Sequence, residues 1–186
     1  MPATFRTFGP YELCREFGKV TRKSLKSFWE RVSAESGFED LPKGMGVYVL
    51  STKIGKEKFR PWYVGLTRKQ TFGSRFYQHG HNKPNSPFVR LAEHRRKGSV
   101  YVFLLPRTTS PTKLMKSTVG EKKRKTKVNS IRELEFMLIG RCWAVNKDLL
   151  NVSEKTFQAG LTVPGVVNYK LKRSDKAASI FAAMIQ

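Results

Sequence analysis

The pattern of apolar and polar positions predicts a mixed α/β (α+β) fold built around a small sheet. β-Branched and aromatic runs at 47–50, 62–64 and 99–105 are typical of strands. The polar stretch 51–61 separates the first two runs, so we expect an antiparallel hairpin with a long turn. The run at 99–105 is apolar on both faces, which indicates a central strand. The pattern therefore predicts a central three-stranded, mostly antiparallel sheet.

Helical spacing of apolar residues predicts the elements that flank this sheet. Segments 10–17 and 21–35 have this spacing, and they predict a helical N-terminal extension over residues 1–43. Segments 70–79 and 87–97 are predicted as two further helices between the second and third strands. The sheet and its helices together predict one domain with extensions at both ends.

A later helix is predicted to begin at Ser130. Ser130 as N-cap and Glu133 three residues later fit a capping box. The apolar residues that follow share one helical face: Leu134, Met137, Leu138, Cys142 and Val145. Glu135 lies at the edge of this face, so its carboxylate is expected to point into a cleft beside the core. Glu133 is the alternative acid, although the cap already explains it.

The segment 107–129 breaks the pattern and is predicted to be a basic mobile loop. It contains Pro111, Gly120 and a run of lysine and arginine at 122–125. The central domain is predicted over residues 44–151. A C-terminal extension follows at 152–186, with a short helix at its end.

The net charge of the chain limits the classes of binding partner that suit it. The formal net charge of +22 favours phosphate polymers or anionic membranes. A membrane is the poorer match, because the chain has no run near the roughly 18 apolar residues that a spanning helix needs and no apolar signal-peptide core near its start. Cys14 and Cys142 show neither metal-ligand spacing nor a disulfide framework, so we expect a reducing, cytoplasmic setting.

Four motifs in order point to one family. The tripeptides Gly-Val-Tyr at 46–48 and Tyr-Val-Gly at 63–65 lie on the two hairpin strands. Arg75 and His79 follow four residues apart on the next predicted helix, so they face the same way. With Glu135 on the later helix, the arrangement resembles the signature of the GIY-YIG nuclease family. The resemblance covers residues 45–151 and implies a GIY-YIG-like nuclease domain.

The resemblance implies a metal-dependent endonuclease that hydrolyses phosphodiester bonds in DNA. The catalytic set that it implies is Tyr48, Tyr63, Arg75, His79, Glu135 and Asn151. Glu135 would bind Mg²⁺ or Mn²⁺, and Arg75 would bind the phosphate oxygens as a planar fork. Tyr48 is favoured as general base, with Tyr63 orienting water or phosphate, and the reverse assignment stays open.

The remaining roles also follow from the resemblance. His79 would hold a tyrosine or a water, and Asn151 would brace the site, with Asn146 as its competitor. Arg68 is the alternative to Arg75 as the phosphate-binding arginine. Leu66 departs from the lysine that some repair-type members carry near the second tyrosine.

Basic residues around this predicted site are expected to bind double-stranded DNA, and we expect no membrane partner. The residues predicted to contact nucleic acid are Arg68, Lys69, Arg90, Arg95, Arg96, Lys122, Lys123, Arg124 and Lys125. For the run at 122–125, a purely solvated role is an equal alternative. Lys58, Arg68 or Lys69 would substitute for the lysine missing at Leu66. Two alternatives remain: a non-catalytic nucleic-acid-binding protein on the same fold, and an RNA nuclease. Glu135 distinguishes the nuclease from the non-catalytic binding protein, because a carboxylate that faces phosphate weakens nucleic-acid binding unless a cation lies between them.

Overall fold

The computed structural model describes residues 3–17, 19–54, 58–82, 86–92, 99–110, 113–115, 125–151, 161–163, 166 and 176–185. The strands are β1 (Ala3–Phe5), β2 (Phe8–Glu12), β3 (Gly46–Ile54), β4 (Lys58–Thr67), β5 (Val100–Ser110), β6 (Lys113–Leu114) and β7 (Leu161–Thr162). The helices are α1 (Arg22–Ser36), α2 (Phe72–Asn82), α3 (Pro87–Ala92), α4 (Lys125–Val145) and α5 (Lys176–Ile185). Among these described residues, no helix is long and apolar enough to cross a membrane.

The predicted antiparallel core of three strands is present, within a larger sheet. The strand order is β4-β3-β5-β1-β7, and β2 and β6 also pair with β5. All pairs are antiparallel except β1 with β7. The mixed α+β class is confirmed, whereas the prediction of three strands is too small. The hairpin turn is also shorter than predicted, because β3 continues to Ile54 and β4 starts at Lys58.

Strand β5 is apolar on both faces because helices cover both sides of the sheet. Val102 and Leu104 are buried in a cluster with residues of α1 and α2. Phe103 and Leu105 are buried in a second cluster, with residues of α4 and α5. The alternation of successive side chains between the two faces produces this division. The prediction that this strand is central is therefore confirmed.

The first part of the N-terminal extension differs from its prediction. Helix α1 is confirmed, with Thr21 as its N-cap and Gly37, at φ 65°, after its last residue. The helix predicted over 10–17 is wrong, because β2 occupies this part of the chain and pairs with β5. Its buried residues Tyr11 and Leu13 alternate with period two rather than helical period. Residues 1–43 are thus not a purely helical extension.

Helix α4 begins before its predicted start. It includes Lys125, so Ser130 is an interior residue and the predicted capping box is wrong. The Ser130 hydroxyl instead accepts a hydrogen bond from the guanidinium of Arg107. The predicted loop 107–129 is also partly wrong, because its first residues continue β5 and then form β6. Val145, predicted on the apolar face, is exposed at the end of the helix.

The segment after α4 runs along the outer edge of β4. The side-chain amide of Asn151 accepts a hydrogen bond from the Val64 backbone N–H (2.7 Å) and donates one to the Val64 carbonyl (2.6 Å). The fully buried Asn146 donates from Nδ2 to the Pro61 carbonyl at 2.6 Å. Both asparagines that the sequence singled out therefore hold the strand that carries Tyr63.

Candidate active site

The hairpin register brings the two signature tyrosines together. Tyr48 pairs with Gly65 across β3 and β4, and Leu50 pairs with Tyr63. The two tyrosines are therefore diagonal neighbours on one face of the sheet. Their ring centroids lie 6.0 Å apart with the planes tilted by 50°. Tyr48 is completely buried, whereas Tyr63 is only partly buried.

The two tripeptides contain glycine at positions where a side chain would not fit. A Cβ at Gly65 would lie 2.7 Å from Cε1 of the Tyr48 ring and closer still to Cζ and the hydroxyl oxygen. A Cβ at Gly46 would lie 2.7 Å from Cα of Pro106 on the neighbouring strand. Real Cβ contacts are longer than this, so both positions require glycine in this arrangement. Gly65 in particular provides the space that the Tyr48 ring occupies.

We therefore expect Gly65→Ala to destabilise the protein by about 1–3 kcal/mol, the usual cost of overpacking. Urea unfolding followed by circular dichroism measures this change. Tyr48→Leu removes the ring atoms that the new methyl group would meet. In the double variant the two effects should therefore be less than additive. Strict additivity would contradict the packing of Tyr48 against Gly65.

A cleft of about 240 Å³ opens at the β4 edge of the sheet. Its lining residues are Tyr63, Leu66, Arg68, Lys69, Gln70, Arg75 and Glu135. They come from β4, from the short connection after it, from α2 and from α4. Since α2 and α4 cover opposite faces of the sheet, the cleft lies where the two helical layers meet around the edge strand. Three residues of the predicted catalytic set, Tyr63, Arg75 and Glu135, therefore share one cavity.

Arg75 is placed by the first turn of α2. The Thr71 hydroxyl accepts a hydrogen bond from the Ser74 backbone N–H at 3.2 Å, which caps the helix start. The Arg75 backbone N–H donates to the Thr71 carbonyl at 3.0 Å. Arg75 Nε is buried and has no hydrogen-bond partner among the residues that the structure describes. Buried donors are usually paired, so this atom can donate a hydrogen bond to a bound anion or to a water molecule.

Glu135 combines burial with cationic neighbours. Burial raises the pKa of its carboxyl group to about 7, while the charges of Arg132, Arg68 and Arg75 act in the opposite direction. A free carboxylate in this place is therefore unfavourable, and a bound cation would stabilise it. Sequence reasoning missed Arg132, although it lies three residues before Glu135 on α4 and helical spacing places it next to the acid. It missed Gln70 as well, for which the sequence carries no signal.

The two tyrosines differ in how readily they ionise. Burial raises the pKa of Tyr48 well above its usual value, and the proximity of Tyr63 raises it further, while the charge and hydrogen bond of Arg75 act in the opposite direction. Burial also raises the pKa of Tyr63, and the charge of Glu135 adds to this, but Arg75 and the Tyr48 hydroxyl counteract the increase. Tyr63 lines the cleft, whereas the buried Tyr48 lies behind it. These properties favour Tyr63 over Tyr48 as the proton acceptor and oppose the sequence-based preference.

Other predicted residues lie outside the cleft lining. His79 is buried on α2 one turn after Arg75, and its backbone carbonyl accepts a hydrogen bond from Ser86 at 2.8 Å. Arg90 is exposed on α3, and Lys58 is exposed at the far end of β4, whereas Arg68 and Lys69 line the cleft. Which of Arg68, Lys69 and Lys58 would substitute for the lysine missing at Leu66 stays a prediction. The roles of His79 and Arg90 remain predictions.

Several predicted nucleic-acid contacts fall on parts of the chain that the structure does not describe. They are Arg95, Arg96, Lys122, Lys123 and Arg124. Lys125 is the first residue of α4, but its side chain also lies outside the described part. The predicted contribution of this basic run to binding therefore remains a prediction.

The donor set suits a hard, hydrated cation. Within the described residues, no three His, Cys, Asp or Glu side chains lie close enough together to share a metal ion. Zinc commonly takes three or four such protein ligands, whereas magnesium keeps several waters and needs only one or two carboxylates. Glu135 beside an open cleft fits Mg²⁺ or Mn²⁺ on these grounds. The Asn151 amide is already bonded to Val64 on both sides, so it is a bracing group rather than a ligand.

No family model matches the chain, and no curated protein or solved structure matches it.

Proposed function

We propose that this protein is a metal-dependent endonuclease that hydrolyses phosphodiester bonds in DNA. The observation that carries the proposal is that Tyr63, Arg75 and Glu135 line one cleft. Arg68 and Lys69 line the same cleft and supply charge for the phosphate backbone. The resemblance of the tyrosine tripeptides to the GIY-YIG signature supports the same reaction.

Arg75 is assigned to the scissile phosphate. Its guanidinium stays charged at any ordinary pH and offers planar, paired donors that match phosphate oxygens. The buried Nε without a described partner supports this role, because a bound oxygen would satisfy it. Charge that develops on the phosphate during attack would be stabilised by a donor already held in place by α2.

Tyr63 is assigned as the general base. Its phenolate oxygen would take a proton from the attacking water, and the positive charge of Arg75 favours the phenolate. Tyr48 is assigned to positioning: its buried ring packs on Gly65 and its hydroxyl favours ionisation of Tyr63. This assignment reverses the roles preferred from sequence.

Glu135 is assigned as the ligand of Mg²⁺ or Mn²⁺. When bound, the cation supplies Lewis-acid stabilisation of charge on the phosphate and the leaving oxygen. Glu135 must be ionised to bind the cation, and its pKa of about 7 makes the cation affinity sensitive to pH near neutrality. Asn151 braces β4 beside Tyr63 through Val64 and so keeps the phenol in place.

A non-catalytic nucleic-acid-binding protein is the second candidate, and one observation favours it. With a pKa of about 7, Glu135 is largely neutral in mildly acidic solution. A neutral carboxyl group does not repel phosphate, so the cleft would bind a nucleic-acid backbone without any cation. The two candidates therefore differ in whether a divalent cation is needed.

Incubation of the purified protein with supercoiled plasmid, with Mg²⁺, with Mn²⁺ and with EDTA, tests the proposal. Nicked or linear plasmid that forms only with a divalent cation supports the endonuclease. Binding without cleavage in every condition favours the binding protein. Cleavage of RNA but not of plasmid would assign the activity to the RNA alternative.

The two tyrosines are separated by conservative variants. Tyr63→Phe removes the proton acceptor and should slow cleavage by about 100-fold or more, the usual contribution of general base catalysis. Tyr48→Phe keeps the ring on Gly65 and should slow cleavage by a much smaller factor. Single-turnover rates on plasmid with Mg²⁺ measure both. A larger loss in Tyr48→Phe would return the role of base to Tyr48.

A further inference from the structure

A tight turn between β2 and α1 presents one aromatic side chain to solvent. The Glu16 backbone N–H donates to the Lys19 carbonyl at 2.8 Å, and the Lys19 N–H donates to the Glu16 carbonyl at 2.9 Å. Phe17 at the corner has φ 50° and is fully exposed. Positive φ is rare for a bulky residue, and an aromatic ring exposed to water lacks the stabilisation that burial would give it. This combination of backbone strain and exposure motivates a functional hypothesis for Phe17.

The turn is fixed rather than loose. The Glu16 carboxylate accepts a hydrogen bond from the Thr21 hydroxyl at 2.5 Å and pairs with Lys23 at 3.3 Å. Thr21 is also the N-cap of α1, where its side chain accepts from the Ser24 backbone N–H at 3.0 Å. The corner is therefore fastened to the first turn of a packed helix. A ring held in this way loses little conformational entropy on binding.

The surroundings of the ring identify the chemistry of its partner. Lys19, Arg22 and Lys23 are exposed beside it, and the nearby acid Glu16 is already engaged. Among the described residues, the other exposed large apolar side chains, Tyr77 and Val145, lie on α2 and α4. A lone ring without an apolar patch is poorly suited to a hydrophobic protein interface or a lipid surface. A flat ring among cations suits a nucleobase flanked by phosphates.

We propose that Phe17 stacks on an unpaired or unstacked base of a bound nucleic acid, while Lys19 and Arg22 contact the adjoining phosphates. The inference rests on the nucleic-acid binding in the proposed function but not on the cleavage chemistry. It describes a second contact, separate from the cleft.

The sheet register separates the end of β2 from the basic part of the cleft. Leu13, just after β2, donates its N–H to the Val100 carbonyl at 2.7 Å, and Val100 pairs with Thr52. Gly46, at the other end of β3, pairs with Thr67, after which Arg68 and Lys69 enter the cleft. Six residue steps along β3 correspond to about 20 Å, so the end of β2 lies about this far along the sheet from Arg68 and Lys69. Tyr63, in the same cleft, pairs with Leu50, two steps from Thr52.

The test compares two labelled duplexes of equal length, one fully paired and one with a single unpaired adenine, by fluorescence anisotropy in EDTA. Wild-type protein should prefer the duplex with the unpaired base. Phe17→Asn should bind the duplex with the unpaired adenine about tenfold more weakly, which is the typical effect of removing one stacking ring. It should also no longer prefer that duplex over the fully paired one. Asparagine tolerates positive φ, so the thermal midpoint should stay level or rise. Phe17→Trp should retain the preference.

Tyr77→Ala is the matched control, because it removes another exposed aromatic ring and should leave the preference intact. Wild-type affinity that is equal for both duplexes would overturn the inference. Unchanged binding in Phe17→Asn would overturn it as well, and intact plasmid cleavage in that variant would leave the proposed function standing. Loss of binding only to phosphatidylserine vesicles in Phe17→Asn would assign the ring to lipid instead. Absence of any nucleic-acid binding by wild-type protein would reject both proposals.

Discussion

Glu135→Gln is expected to abolish Mg²⁺-dependent cleavage while nucleic-acid binding stays intact or becomes tighter. The substitution keeps the shape of the side chain and removes the charge that would hold the cation. Loss of transition-state charge stabilisation of this kind commonly lowers the rate by a factor of about 100–1000. Plasmid nicking under single-turnover conditions gives the rate, and anisotropy in EDTA gives the affinity.

Glu133→Gln is the matched control for this prediction. Glu133 is a partly buried acid on the same helix, two residues before Glu135, and it does not line the cleft. It should retain cleavage close to the wild-type rate. Wild-type activity in Glu135→Gln, or an equal loss in both variants, would reject Glu135 as the metal ligand.

The same pair of variants tests the pKa of Glu135. In metal-free protein its pKa is about 7, against 4.5 for an unperturbed carboxyl, so the folded state binds the proton more tightly than the unfolded state. The stability that this tighter proton binding contributes is fully present below about pH 4.5. As the pH rises to about 7 it is lost, and the free energy of unfolding falls by up to about 3 kcal/mol. Glu135→Gln should lack this loss. The Mg²⁺ concentration for half-maximal cleavage should fall from pH 6 to pH 8.

Arg75→Lys is expected to lower the cleavage rate by about 100-fold with little change in affinity. Lysine keeps the charge, but it lacks the planar pair of donors that matches two phosphate oxygens. The change should therefore be seen in the single-turnover rate and not in the dissociation constant measured in EDTA.

Arg68→Lys serves as the comparison, because Arg68 lines the same cleft from the exposed connection between β4 and α2. It should reduce the rate far less, since an exposed cation contributes mainly to backbone binding. A larger effect in Arg68→Lys than in Arg75→Lys would assign the phosphate-binding fork to Arg68.

Local signals predicted the centre of this fold well. The aromatic and β-branched runs around Tyr48 and Tyr63 predicted the hairpin, and the two-sided apolar run at 99–105 predicted its neighbour β5. The first strands were missed because Gly9 and Pro10 interrupt a short segment whose pairing partner lies about 90 residues later in the chain. The start of α4 was misplaced because Ser130 has the sequence appearance of a cap, whereas its hydroxyl bonds Arg107.

The sequence was sufficient to predict which residues form the candidate site, but not how their surroundings shift their pKa values. Motif order was enough to select Tyr63, Arg75 and Glu135, which line one cleft. Which tyrosine ionises depends on burial, and the sequence gives no measure of how deeply Tyr48 packs under Gly65. The proximity of Arg132 to Glu135, in contrast, follows from helical spacing and was overlooked.

The hydrogen bonds along β4 have a consequence for the behaviour of the protein in concentrated solution. An edge strand with open N–H and C=O groups is a template for pairing with a second chain, and this is a common route to aggregation. Here the outer side of β4 receives hydrogen bonds from Asn146, Leu150 and Asn151. The side chain of Asn151 engages Val64 in both directions, as a neighbouring strand would. Asn151, which braces the candidate active site, therefore also occupies backbone groups through which a second chain could pair with this edge.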